Sequence, residues 1–116
     1  MKRFIHAADG IIYVFRNEQN FKIHFVAAIL VITAGFLCNI NTTEWLFIIV
    51  AITIVTALEL INSAIEYLCN FVNPSLHEKI KRIKDASAGA VLIASIGSLI
   101  MALVIFLPKF LHFIIN

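Results

Sequence analysis

Long apolar runs alternate with short polar breaks along the chain, and the spacing of the breaks predicts four helical segments. Residues 1–20 are amphipathic. Phe4, Ile5, Ala8, Ile11, Ile12 and Phe15 recur at intervals of one, three and four, with Lys2, Arg3, Asp9 and Arg16 between them. That spacing gives a helix one apolar stripe. The segment is too polar and too short to span a bilayer, so it reads as an interfacial helix on the headgroups. A soluble cap docked on the bundle is the alternative. Arg16–Asn20 is a polar turn in which Asn17 or Asn20 can cap the next helix. Residues 21–38 form a first span, just long enough at ~1.5 Å per residue to cross a hydrocarbon core ~30 Å thick.

Residues 39–43 are a short turn, which makes the next helix an antiparallel neighbour, with Asn41 or Thr42 as its cap. A second helix over 44–72 is longer than the hydrocarbon core requires. Trp45 stands at its start, where an interfacial aromatic belongs. Asn73-Pro74 ends it, because proline disfavours helix in the residue before it. Residues 73–85 are a charged connection with room for one or two helical turns. The third span covers 86–107 and is stopped by Pro108. Its small residues, Ala86 to Ala90, let helix backbones approach closely. The tail from Lys109 is apolar enough to resume the helix at the outer interface.

Composition turns these segments into membrane spans. The chain is 61% hydrophobic and 14% charged, with a mean hydropathy of +0.97. Soluble domains run at ~45–50% apolar and ~25% charged. A chain of 116 residues has room for one domain and could not bury this much apolar surface in water. The expected class is an all-α integral membrane protein. No continuous apolar stretch follows Met1-Lys2-Arg3, so no cleaved signal peptide is expected and the chain is anchored by its own spans. Cys38 and Cys69 fall near opposite faces of the bilayer and are expected as free thiols. Basic residues are few and unaccompanied by an aromatic stacking motif, so no nucleic-acid partner is expected.

Charge sets the topology. Of nine Lys and Arg, all but Lys109 flank the N-terminal segment or the 73–85 connection: Lys2, Arg3, Arg16, Lys22, Lys79, Lys81, Arg82 and Lys84. The positive-inside rule then puts the N-terminus and that connection in the cytoplasm and the C-terminus outside.

The chemistry concentrates on the second helix. Glu59, Asn62 and Glu66 share one face at i, i+3 and i+7. A carboxylate at membrane depth costs at least a few kcal/mol, which marks it as functional by default. Counted from Glu44, Glu59 lies roughly 22 Å along the helix, inside the inner leaflet, and Glu66 roughly 33 Å, at the headgroups. Such a stripe suits a reaction between a lipid and a cytosolic reagent. The deeper group meets the lipid's polar atom. The shallower carboxylate can hold Mg²⁺, which takes one or two carboxylates and keeps several waters. Glu18 and the Lys84-Asp85 pair fall at the same level. Taken singly, each has a plainer reading: Glu18 as a solvated carboxylate, Lys84-Asp85 as a charge step, Asn62 as interhelical packing, and His6, His24, His77 and His112 as interfacial or structural residues. Glu59 and Glu66 together resist such a reading.

These residues resemble the bacterial integral-membrane diacylglycerol kinase and undecaprenol kinase family. The run Glu59-Leu-Ile-Asn62-Ser63-Ala64-Ile65-Glu66 is similar to its E-x-x-N-[ST]-A-[IV]-E motif. Arg16 to Phe21 resembles its N-E-x-x-F segment, and Lys84 to Leu92 its K-D-x-x-[AS]-[AG]-A-V-L block. Phe4, Ala7 and Gly10 fit its N-terminal spacing. The resemblance implies a homotrimeric bundle with active sites shared between subunits, transferring the γ-phosphate of ATP to a lipid hydroxyl with Mg²⁺ at the cytoplasmic face of the inner membrane. By that resemblance Glu59 is the base at the lipid substrate, with Ala88 beside the same substrate. Glu18 and Glu66 hold the metal, Asn62 orients them, and His77, Lys84 and Asp85 lie near the nucleotide. No Walker A motif or kinase Gly-rich loop occurs, so the carboxylates and interfacial side chains must hold ATP. Two positions depart from the pattern. Asn70 replaces a frequent acidic residue, and His24 stands where the diacylglycerol-preferring branch tends to carry a carboxylate. The run Phe21-Lys22-Ile23-His24 is closer to the undecaprenol-preferring branch. A small oligomeric channel or transporter lined by the same carboxylates is the competing class. Against it, Leu46–Leu58 offers only Thr53 and Thr56 as polar groups.

Overall fold

A computed structural model describes residues 1–72 and 77–116 in four helices: α1 (Lys2–Asn17), α2 (Gln19–Leu37), α3 (Thr42–Val72) and α4 (Glu78–Ile115). Helices α2, α3 and α4 are each long and apolar enough to cross a membrane. The chain is a multi-pass membrane protein with a short N-terminal helix. In hydrocarbon a helix satisfies its own backbone polar groups, which is why the apolar runs take this form.

Helix α3 touches all three others and packs most extensively on α4. That pairing is antiparallel and closed by a polar contact at each end. Lys109 Nζ meets Glu44 Oε2 at 2.9 Å, and Lys84 Nζ donates to Asn70 Oδ1 at 2.6 Å. Between these ends Ile40, Ile48 and Ile105 form a small core, ringed by Val31, Trp45, Ile52, Met101 and Phe106. Most other large apolar side chains stay exposed, as a chain surrounded by lipid requires.

One residue makes the α1–α2 corner. Glu18 is extended (φ −116°, ψ 116°), and its N–H donates to the Val14 carbonyl at 2.8 Å. The five-residue turn expected at 16–20 is therefore a single-residue break. Neither asparagine caps α2. Asn17 Nδ2 turns back to the Tyr13 carbonyl at 2.7 Å and so closes α1, and Asn20 lies inside α2. Phe15 meets Phe21 and Phe25 edge-on, with centroids 6.2 and 5.3 Å apart, and braces the corner. Within α1 only Val14 is buried, while Phe4, Ile5, Ile11 and Ile12 are exposed. The docked-cap alternative thus lacks packing, and the free apolar stripe suits a lipid surface.

The α2–α3 turn is tightly specified. Asn39 takes a left-handed conformation (φ 52°), which asparagine tolerates. The Ile40 N–H donates to the Gly35 carbonyl at 3.2 Å and the Asn39 N–H to that of Phe36 at 3.3 Å, the paired bonds of a Schellman motif. Asn41 then opens α3, as the sequence allowed. Its Oδ1 accepts the Glu44 N–H at 2.9 Å, and Glu44 Oε1 accepts the Asn41 N–H at 3.0 Å. This reciprocal capping box satisfies two otherwise orphaned donors.

Helix α4 departs from expectation at both ends. It starts at Glu78 rather than at the third span's predicted edge, and it passes through Pro108 to Ile115. The early start has local causes. His77 Nδ1 accepts the Lys79 N–H at 3.1 Å, and the i,i+4 pairs Arg82–Glu78 and Lys81–Asp85 close at 2.7 Å each. The helical turns allowed in the charged connection form, and they are continuous with the third span. Pro108 removes one backbone donor, but the turns after it keep theirs, and Lys109 is fixed by Glu44. The expected end of the second helix at Asn73-Pro74 lies outside the described residues.

Candidate active site along α3

Helix α3 carries the polar stripe past each neighbour in turn. Glu59 is buried, and its Oε1 lies 2.9 Å from His24 Nε2 on α2. One turn further on, Asn62 Oδ1 accepts from Ser87 Oγ of α4 at 2.7 Å, beside the buried Ser63. Next comes the corner, where Tyr67 Oη donates to Glu18 Oε1 at 2.8 Å. The Tyr67 ring is held edge-on by Tyr13, with centroids 5.7 Å apart. Asn70 and Lys84 end the series. From residue 59 to 70 this spans roughly 16 Å of helix.

The expected residues divide into two groups. Glu18 and the end of α3 that carries Glu66 do come together, through Tyr67, and both carboxylates are half-buried. Asn62 and Lys84 face α3–α4 contacts. Asp85 turns away from Lys84, is exposed and pairs with Lys81. His77 is exposed and caps α4, and Ala88 is exposed. Adjacent in sequence, Lys84 and Asp85 point about 100° apart on a helix, so one reaches α3 and the other cannot.

Three side chains take parts that the sequence did not assign. His24, in sequence an interfacial residue and a mark of lipid preference, pairs with Glu59. Ser87 had no role beyond the motif block. Tyr67 had none at all, although its place directly after Glu66 was a signal: a hydroxyl on a long arm, one step round the helix from a candidate metal ligand. Asn70, where a carboxylate is frequent, accepts Lys84 as a neutral amide.

On the Glu44 side of Glu59, a groove of about 250 Å³ opens between α2, α3 and α4. His24 lines it at the Glu59 end, and the walls are largely alanine and aliphatic, including Ala27, Ala28, Ala51 and Val55. An apolar groove meeting a buried carboxylate–imidazole pair suits a lipid with one reactive polar atom. The oxygen-rich end at Glu18 and Glu66 suits a hard cation or phosphate. Among the described residues no three His, Cys, Asp or Glu side chains come together as a metal cage.

Comparison with known proteins points to lipid kinases. The family model described as prokaryotic diacylglycerol kinase matches residues 5–106. An undecaprenol kinase of Bacillus subtilis (strain 168) is 42% identical over 108 residues, 93% of this chain and 88% of that protein. A diacylglycerol kinase of Synechocystis is 34% identical over 97% of this chain and 65% of its own length. A diacylglycerol kinase of Escherichia coli (strain K12) is 31% identical over 72% of this chain and 69% of its own.

Proposed function

The chain belongs to the prokaryotic diacylglycerol kinase family and is a lipid kinase, and we propose that it transfers the γ-phosphate of ATP to undecaprenol with Mg²⁺. The observation that carries the choice of acceptor is the 42% identity to an undecaprenol kinase, sustained over 93% of this chain and 88% of that one. Diacylglycerol is the second reading, favoured by the relatives at 34% and 31% identity. The channel alternative is not favoured.

Each residue has a task in this reaction. Glu59, buried where the groove ends, is the base for the lipid hydroxyl. Glu18 and Glu66 hold Mg²⁺, which when bound neutralises charge on the ATP phosphates. Their oxygens fit a cation that takes one or two carboxylates and completes its shell with phosphate and water. Asn62, fixed by Ser87, orients the polar stripe, and Lys84 adds positive charge near the nucleotide. His77 and Asp85, both exposed, reach the nucleotide from the solvent side, and Ala88 borders the lipid. Three copies assemble with shared sites, a reading supported by the match to the prokaryotic diacylglycerol kinase family over residues 5–106. The basic ends face the cytoplasm of the inner membrane.

The test is transfer of label from [γ-³²P]ATP by purified protein in mixed micelles, with undecaprenol and diacylglycerol supplied separately. Labelled undecaprenyl phosphate is expected. Labelled diacylglycerol product alone would reassign the acceptor, and no labelled lipid with either would sink the reading.

A further inference from the structure

Glu59 is sealed where a base must exchange protons. Its side chain is 6% exposed, against 29% for His24, whose Nε2 is 2.9 Å away. Among the described residues, His24 is the side chain in polar contact with that carboxylate. His24 also lines the groove, and Glu59 does not. A hydroxyl arriving along the groove meets the imidazole first.

We infer that His24 is the proton conduit of Glu59, passing the acceptor alcohol's proton inward and returning it to water afterwards. The inference rests on the lipid-kinase reading with Glu59 as base. In this relay the Glu59 carboxylate accepts the Nε2–H of a neutral His24, and the lone pair on Nδ1 takes the alcohol's proton. The alcohol O–H breaks as an Nδ1–H forms. Nε2–H breaks as a bond to Oε1 forms. The alcohol oxygen bonds to the γ-phosphorus while the bond from that phosphorus to the ADP oxygen breaks, and the electron pair leaves with ADP. The pair as a whole passes from one negative charge to neutral, and no isolated imidazolium is left at membrane depth, where an unpaired charge is costly. Afterwards the proton returns through the ring to a water that enters as the product leaves, which restores the carboxylate.

The test separates a conduit from a mere hydrogen-bond donor. His24→Gln keeps an N–H for Glu59 but cannot relay a proton. His24→Ala leaves space that free imidazole can fill. Wild type, both variants, Glu59→Gln and the His24→Gln/Glu59→Gln pair are assayed with [γ-³²P]ATP and undecaprenol in mixed micelles. The kcat of each His24 variant is expected to fall about a hundredfold or more, with KM for ATP nearly unmoved. Added imidazole is expected to restore His24→Ala but not Glu59→Gln, and the double variant to be no slower than Glu59→Gln alone, as for residues acting as a unit. Wild-type kcat in His24→Gln, no rescue by imidazole, or an additive loss in the double variant overturns the conduit. ¹⁵N spectra of histidine-labelled wild type test it without substitution: hydrogen on Nε2 of His24 is expected, and hydrogen on Nδ1 alone overturns it. Wild type that phosphorylates neither undecaprenol nor diacylglycerol strikes the lipid-kinase reading itself, a result distinct from any of these.

Discussion

The Tyr67 hydroxyl donates to Glu18 Oε1 at 2.8 Å and ties the α1–α2 corner to the end of α3 that bears Glu66. The contact converts a helix break into one wall of the candidate metal site. Tyr67→Phe removes the donor but leaves the ring on Tyr13. A hydrogen bond to a charged group contributes about 1.5–3 kcal/mol, and partial exposure here reduces that. The expected result is a several-fold higher Mg²⁺ concentration for half-maximal activity, with kcat at saturating Mg²⁺ little changed. A Mg²⁺ titration of lipid phosphorylation measures it. An unmoved midpoint would show that Glu18 is oriented without Tyr67.

Glu59→Gln and Glu66→Gln are expected to fail differently. The first keeps size and hydrogen bonding but loses the proton acceptor, so turnover should fall by about a hundredfold or more while nucleotide binding persists. The second weakens the hold on Mg²⁺-ATP. Steady-state kinetics beside equilibrium nucleotide binding separate the two. Wild-type turnover in Glu59→Gln would remove it as the base, and unchanged Mg²⁺ affinity in Glu66→Gln would remove it from the metal site.

Gly35 is where the fold is least tolerant of a methyl group. A Cβ there would lie 2.6 Å from Cη2 of Trp45 and 3.1 Å from Cδ1 of Ile40. Overpacking of this kind costs about 1–3 kcal/mol. Gly35→Ala should lower the midpoint of thermal unfolding in detergent, and Trp45→Leu in the same chain should recover part of the loss. A Gly35→Ala chain as stable as wild type would mean that the indole can move aside freely.

The Glu44–Lys109 pair lies at the far end of α3, roughly 33 Å of helix from Glu66. Partly exposed pairs contribute about 1 kcal/mol or less. Lys109→Met should therefore cost little stability and leave kcat and KM unchanged in the same assay. A large fall in kcat would mean that the outer end is coupled to the chemistry.

Much of this was legible because the membrane restricts the options. Apolar runs of span length must be helices, and of the two candidate caps for α3, Asn41 and Thr42, it is Asn41 that accepts the Glu44 N–H. That α4 runs unbroken from Glu78 was not legible, because a hydropathy edge marks where lipid begins and not where hydrogen bonding does. Sequence reasoning also stopped that helix at Pro108, although proline removes only one backbone donor and later turns can keep their own. His77 and Asp85 were assigned by family resemblance, and both are exposed, His77 as the cap of α4 and Asp85 on its surface.

By itself the sequence determined the three apolar spans, the single face shared by Glu59, Asn62 and Glu66, and their order along that helix. Those follow from a fixed rotation and rise per residue, which any α-helix obeys. Only the tertiary structure decided what each polar group touches: His24 for Glu59, Ser87 for Asn62, Tyr67 for Glu18 and Lys84 for Asn70. These partners are 14 to 49 residues apart for the three hydrogen bonds. Their meeting depends on how one helix is turned against another, and packing of whole faces sets that angle.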